Sequence, residues 1–169
     1  SLSSTQFKEK IETITACLQN KQYDEAVRQG IELENMHIRS DVYQLIMSRL
    51  YNESGKYQDA IKYAKLSLCQ GQPLPSQVPS MAYVEIAFGY IGLQDYHSAR
   101  KAARKAIKND SQNSNAYTLL ANALIMESAC NKNTALAALA IEKALRINPK
   151  DSRNYFFRAI VKIRQKKYQ

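Results

Sequence analysis

The feature that most restricts this chain is a phrase that returns in phase. Lys21-Gln22-Tyr23-Asp24-Glu25-Ala26, Gly55-Lys56-Tyr57-Gln58-Asp59-Ala60 and Gln94-Asp95-Tyr96-His97-Ser98-Ala99 all carry a tyrosine with an alanine three residues on. The tyrosines are spaced by 34 and then 39 residues. Self-similarity at such a period points to stacked supersecondary units, each too small to bury its apolar face alone. The five extra residues of the longer interval fall in Gln70 to Ser80, where Pro73, Pro75 and Pro79 are expected to interrupt helix and stiffen a connection.

Each phrase opens a stretch of helical period. Ala60, Ile61, Ala64, Ser67 and Leu68 follow Tyr57, and Ala99, Ala102, Ala103, Ala106 and Ile107 follow Tyr96. These i, i+3, i+4, i+7, i+8 stripes mark amphipathic helices. A second stripe precedes each phrase. Tyr83, Ile86, Ala87 and Tyr90 form one, and Tyr117, Leu120, Ala121 and Leu124 repeat it 34 residues later. The unit is therefore two helices joined by a short turn. Only 5 glycines and 4 prolines in 169 residues leave too little turn chemistry for an all-β fold. Ala87 and Ala121 on first helices, with Ala60, Ala99 and Ala137 on second helices, let backbones approach closely, while Tyr90 and Tyr96 fill the space beside them.

This pattern resembles the tetratricopeptide repeat. Tyr83, Ile86, Ala87, Tyr90, Tyr96, Ala99 and Ala106 match its rhythm in a unit at 80–113, and Tyr117, Leu120, Ala121, Leu124, Ala137, Ala144 and Pro149 match it at 114–151. The latter carries four extra residues near Glu127 to Thr134 and lacks the turn tyrosine. Ser48, Tyr51, Tyr57, Ala60 and Ser67 match it at 41–74. A degenerate unit at 7–40 matches only from Tyr23 to Leu33, and Tyr155-Phe156-Phe157-Arg158-Ala159 begins a partial unit or capping helix at 152–169. The resemblance implies a single all-α domain over 1–169, a right-handed α-solenoid of stacked antiparallel helix pairs. It further implies a protein–protein interaction scaffold, with first helices lining a concave side and second helices a convex one.

No residues group as a catalytic site would. His37 and His97 lack a metal-ligand neighbour at i+3 or i+4, and both read as surface histidines, the second in a turn. No glycine cluster suits a phosphate loop, and pairs such as Glu32 and Glu34 read as solvated helix surface. The expectation is no enzyme activity, no cofactor and no metal. Cys17, Cys69 and Cys130 are far apart and odd in number, which fits a reducing, cytoplasmic setting, with Cys130 a bystander thiol in a loop. No apolar run approaches the roughly 20 residues of a membrane span. The start at Ser1-Leu2, without methionine, reads as the boundary of a trimmed chain.

On a helical wheel, the face opposite each core stripe is the expected partner-binding surface. It carries Leu45, Arg49 and Asn52 in one unit, Val84, Phe88 and Ile91 in the next, and then Thr118, Asn122 and Ile125. Phe156, Ile160 and Ile163 continue it. Phe88 lies most nearly opposite the core stripe, and Arg49 and Asn122 supply hydrogen-bonding groups to a bound backbone. The partner is expected to be another protein or peptide, acidic or with an apolar anchor. Some members of the resembled family grip a C-terminal carboxylate with basic groups on first helices. The matching positions here hold Ile11, Thr15, Ile46, Met81 and Glu85, which speaks against such a clamp.

Net charge is +9, and its excess lies wholly in the second half: residues 80–169 hold fifteen basic and six acidic side chains, against nine and nine before them. Lys101, Arg104, Lys105 and Lys108, with Arg100, form a basic patch on the convex side of one second helix. The alternative function is therefore a nucleic-acid-binding solenoid using this basic half, although the apolar groove makes nucleic acid the less expected partner. The last helix, over Ser152 to Lys167, is expected to turn Tyr155, Ala159 and Ile163 toward the preceding unit and to show Arg158, Lys162 and Lys166 outward. One neighbouring unit cannot cover both Phe156 and Phe157, so one should be exposed or covered by self-association through this helix. Lys167-Tyr168 repeats the turn phrase, so the natural chain is expected to continue.

Overall fold

A computed structural model describes residues 4–36, 38–69 and 77–167. His37, the segment 70–76 with Pro73 and Pro75, and Tyr168 lie outside the described residues. The described chain is helical, with no strand. In order come α1 (Ser4–Gln19), α2 (Tyr23–Glu32) with a 3-10 turn at Leu33–Met36, α3 (Ser40–Glu53), α4 (Tyr57–Leu68), α5 (Gln77–Gly92), α6 (Tyr96–Asn109), α7 (Ser114–Glu127), α8 (Asn131–Ile147) and α9 (Ser152–Lys166). Odd-numbered helices pack on the even-numbered ones on either side of them, and α3, α5, α7 and α9 also touch in succession. This is an α-solenoid of stacked helix pairs, with first helices along one side and second helices along the other.

The returning phrase works through its backbone. Lys21, Gly55 and Gln94, each two residues before a turn tyrosine, have φ of 58°, 76° and 61°. The next residue in each turn then donates its N–H five residues back: Gln22 to the Cys17 carbonyl, Lys56 to Tyr51 and Asp95 to Tyr90, at 2.8 to 2.9 Å. A left-handed residue followed by this long-range bond closes one helix and frees the chain to reverse into the next. The fourth turn lacks the phrase. There Ser128 is extended and the Cys130 sulfur accepts the Asn133 N–H at 3.5 Å, starting a longer, 17-residue α8.

Small residues stand where backbones meet. Ala60, Ala87, Ala99, Ala121 and Ala137 are fully buried. A Cβ on Gly89 would come within 2.7 Å of Ile61 and 3.2 Å of the Tyr57 carbonyl, and one on Gly92 within 2.5 Å of the Tyr57 ring. The bulk of the turn tyrosine is thus accommodated by missing side chains on the following first helix. Pro79 differs from its expected role: it lies in the first turn of α5, where a missing N–H breaks no intrahelical bond.

Polar side chains stitch successive units. Asn52 Nδ2 donates to the Glu85 carbonyl at 3.0 Å, Asn113 Nδ2 to Ser80 Oγ at 3.0 Å, and Thr118 Oγ1 to Asn154 Oδ1 at 2.9 Å. Among these, Asn52, Ser80, Thr118 and Asn154 are buried, so each bond satisfies groups that have lost water.

The final helix reverses one expectation. Tyr155, Ala159 and Ile163 are exposed, whereas Asn154 and Val161 are buried and Phe157 and Ile160 pack onto the α7–α8 core. The Tyr-Ala stripe is the face a first helix turns to its own second helix, and no described helix follows α9. Contact with the preceding unit uses the adjacent face, where Arg164 donates to the Ile125 carbonyl at 2.9 Å. Of the paired phenylalanines, Phe156 is 65% exposed and Phe157 is packed.

Candidate functional site: the groove along the first helices

Two helices, α1 and α3, wall one opening on the first-helix side. Between α1 and α3 lies a cavity of about 550 Å³, walled by Ile11, Ile14, Thr15 and Leu18 on one side and Ile46, Arg49, Leu50 and Glu53 on the other. Arg49 and Glu53 also border a smaller cleft of about 100 Å³, shared with Val84, Glu85 and Phe88 of α5, Asn115 and Leu119 of α7, and Arg153 of α9. The two openings share this pair, whose side chains bond at 3.0 Å. An apolar trough at α1–α3 therefore lies beside a smaller, charged cleft across α5 and α7.

The expected surface residues separate by their place on each helix. Arg49 and Phe88 are open, the latter 38% exposed, and Asn122 and Ile160 in the same row are half-buried. The flanking positions are covered. Leu45, Asn52, Thr118 and Ile125 are buried, and Val84 and Ile91 pack partly onto the α5–α6 core. Asn52 Nδ2 and Thr118 Oγ1 bond to the next first helix, so these residues face the seam between units and not the groove. Phe156 occupies the matching forward-facing position on α9 and is exposed, and among the described residues no further first helix covers it. Sequence reasoning names Ile11, Thr15, Ile46 and Glu85 only as places lacking a basic clamp, and it omits Leu18, Asn115 and Arg153. The signal was present in the apolar α1 residues Ile11, Ile14 and Leu18, at i, i+3 and i+7.

Glu85 gives the cleft its electrostatic character. Asn52 Nδ2 donates to its carboxylate at 2.8 Å. Burial pushes the Glu85 pKa above the ordinary glutamate range, against the opposing pulls of the Asn52 bond and the Arg49 charge. A carboxyl whose folded pKa exceeds its unfolded one is better protonated when folded. Stability therefore falls as pH rises through that interval and stays lower above it. Glu85→Gln keeps an oxygen for Asn52 and removes the buried charge. We expect thermal melts to show a higher midpoint for the variant at pH 7 and no gain near pH 3, below the ordinary glutamate range.

The other sequence candidates have plain surroundings. His97 lies in the first turn of α6, not in the turn before it, with its Nδ1 3.2 Å from Arg100. Cys130 is exposed at the α8 N-cap, where the Ser128 hydroxyl and then the Asn133 N–H hold its thiol below the usual range. Among the described residues no three His, Cys, Asp or Glu side chains converge as a metal would require, and no helix is long and apolar enough to cross a membrane. Lys101, Arg104, Lys105 and Lys108 are exposed on α6. Arg100 is drawn off this patch, its Nε 2.8 Å from Glu127 of α7, close enough for an ion pair though not aligned as a hydrogen bond. The nucleic-acid alternative gains no support from this arrangement.

No protein-family model and no curated protein matches the sequence. Solved structures do match the fold. "MamA RS-1 ArsTM double mutant" aligns with TM-score 0.65 at 17% identity, over 94% of this chain and 84% of that one. "Crystal structure of MamA" aligns with TM-score 0.64 at 19% identity, over 86% and 80%. "TPR2AB-domain:pHSP90-complex of yeast Sti1" aligns with TM-score 0.50 at 17% identity, over 98% and 86%. At such identities the likeness establishes the fold: a solenoid of the tetratricopeptide-repeat type.

Proposed function

We propose that this chain is a protein–protein interaction scaffold that takes a peptide or partner helix along the concave, first-helix face. The carrying observation is a pair of openings that share Arg49 and Glu53 as lining residues, one walled by Ile11, Ile14, Leu18 and Ile46 and the other by Phe88 and Val84. The larger has the volume of a ligand-binding pocket, and an amphipathic helix buries its apolar stripe in such a trough. The Sti1 structure of similar fold is a complex with another protein, which supports a protein partner. The test is capture of partners on the tagged chain, identification by mass spectrometry, and hydrogen exchange on the reconstituted complex. Protection should concentrate on α1, α3 and α5. Protection confined to α4, α6 and α8 would sink the groove reading.

A second reading rests on α9. Phe156 and Ile163 are 65% and 59% exposed at seam positions, and Tyr155 and Ala159 lie exposed beside them. Isolated exposed apolar residues need no explanation, but a patch at a repeat seam marks a contact. Self-association through this helix follows, opposed by the like charges of Arg158, Lys162 and Lys166. Sedimentation should show weak concentration-dependent association that Phe156→Ser removes. A wild-type chain monomeric at every concentration tested would dispose of this reading.

A further inference from the structure

A cavity of about 320 Å³ on the second-helix side, between α4 and α6 and over α5, plays no part in the groove. Ile86 and Leu68, buried and half-buried, make its floor, and the half-buried rings of Tyr83 and Tyr90 make its walls. Three exposed ammonium groups, on Lys65, Lys101 and Lys105, stand at its rim. Two are held by the walls: Lys105 Nζ lies 5.6 Å from the Tyr83 ring centroid, and Lys65 Nζ lies 5.9 Å from that of Tyr90 and 3.4 Å from its hydroxyl. Among the described residues no carboxylate pairs with any of the three, and the residues outside the description include no aspartate or glutamate.

A ring face leaves most of an ammonium's hydrogens unengaged, and positioning it there lowers the ordering cost when an anion arrives. A purely apolar guest would strip water from three cations without replacing it, and a small polar anion would leave the floor and rings uncovered. We propose that this cavity binds an acidic peptide segment of a partner protein. An apolar side chain enters over Ile86 and Leu68, and carboxylates flanking it meet Lys65, Lys101 and Lys105. Two of the basic-patch residues thus belong to a built pocket, and Lys108 continues the same side of α6 one turn on. This is a second binding surface, independent of the concave groove.

Fluorescence anisotropy on the full chain tests it, with a labelled peptide of one central leucine flanked on both sides by glutamates. The glutamate peptide should bind, more weakly as salt rises, and the double variant Lys101→Gln with Lys105→Gln should weaken it about tenfold or more. Both lysines are exposed, so the variant keeps the fold. Phe88→Glu should leave this binding unchanged, which separates it from the groove reading. The proposal is overturned if a peptide with glutamines in place of glutamates binds as well. It is overturned equally if the leucine can become serine without loss, if the lysine variant binds like the parent, or if a single-stranded oligonucleotide binds more tightly than the peptide.

Discussion

Phe88→Glu is expected to abolish capture of the concave-face partner while leaving the helix content of the chain intact. Phe88 lines the α3–α5–α7 cleft, with its ring 6.4 Å from that of Tyr57 and tilted by 47°. It is 38% exposed, so part of the ring is already in water and its loss costs about 1 kcal/mol of folding, a fall of roughly 2–4 °C in melting temperature. For a partner the consequence is much larger. A new carboxylate one turn from Glu85 and beside Glu53 makes the cleft acidic, and an apolar anchor entering it would strand that charge without water. Phe88→Gln separates the two effects, because it removes the ring without adding charge. Binding by titration calorimetry should be weakened by Phe88→Gln and undetectable with Phe88→Glu. A drop in melting temperature near that of a core truncation, about 2–5 kcal/mol in stability, would place Phe88 in the core and end the groove reading.

What the sequence made legible was periodicity, and what it hid was direction. The stripes Tyr83-Ile86-Ala87-Tyr90 and Tyr117-Leu120-Ala121-Leu124 correctly pair each first helix with its own second helix. The opposite face was treated as one surface. In a stacked array that face is divided, because a first helix also meets the first helices before and after it. A central row, including Arg49 and Phe88, is left open, while Asn52, Thr118 and Ile125 turn forward into the seam. Helical spacing cannot separate a seam from a groove, since both lie within about 40–60° of each other on the wheel. The seam residues carried one hint: Asn52 and Thr118 are polar where an apolar neighbour would serve, and each is matched by a polar group one unit on, Glu85 and Asn154. The reversed face of α9 has the same origin. Its Tyr155-Ala159 stripe obeys the repeat rule, but the rule refers to a second helix that no described residue supplies. The cavity at α1–α3 escaped because Lys10, Thr13 and Ile14 depart from the repeat pattern in α1, although Ile11 and Leu18 keep its apolar side.

Ala99→Leu is expected to lower stability by about 1–3 kcal/mol, through overpacking. Ala99 is fully buried on α6, which lies against α5 and α7. A leucine there adds a branched side chain at a contact whose closeness depends on small residues, Ala99 and Ala103 on α6 and Ala87 on α5, all without exposed surface. The helix cannot shift freely to make room. Its start is fixed by the Asp95 side chain accepting the Ser98 N–H at 3.1 Å, and by the left-handed Gln94 before it. Lys101→Leu supplies the control, adding an apolar side chain two residues on at an exposed site, with a cost within about 0.5 kcal/mol. The form of the transition carries further information. In a stacked array each unit touches only its neighbours, so cooperativity depends on every junction. Because α5 and α6 lie near the middle, the overpacked variant should broaden as well as shift: helix signal lost in two steps, with a lower denaturant slope for each. A single transition of unchanged slope would mean that the strain is absorbed locally. A variant as stable as the parent would mean that the α5–α6 contact has room for a leucine, and the close approach inferred from the alanines would be wrong at that position.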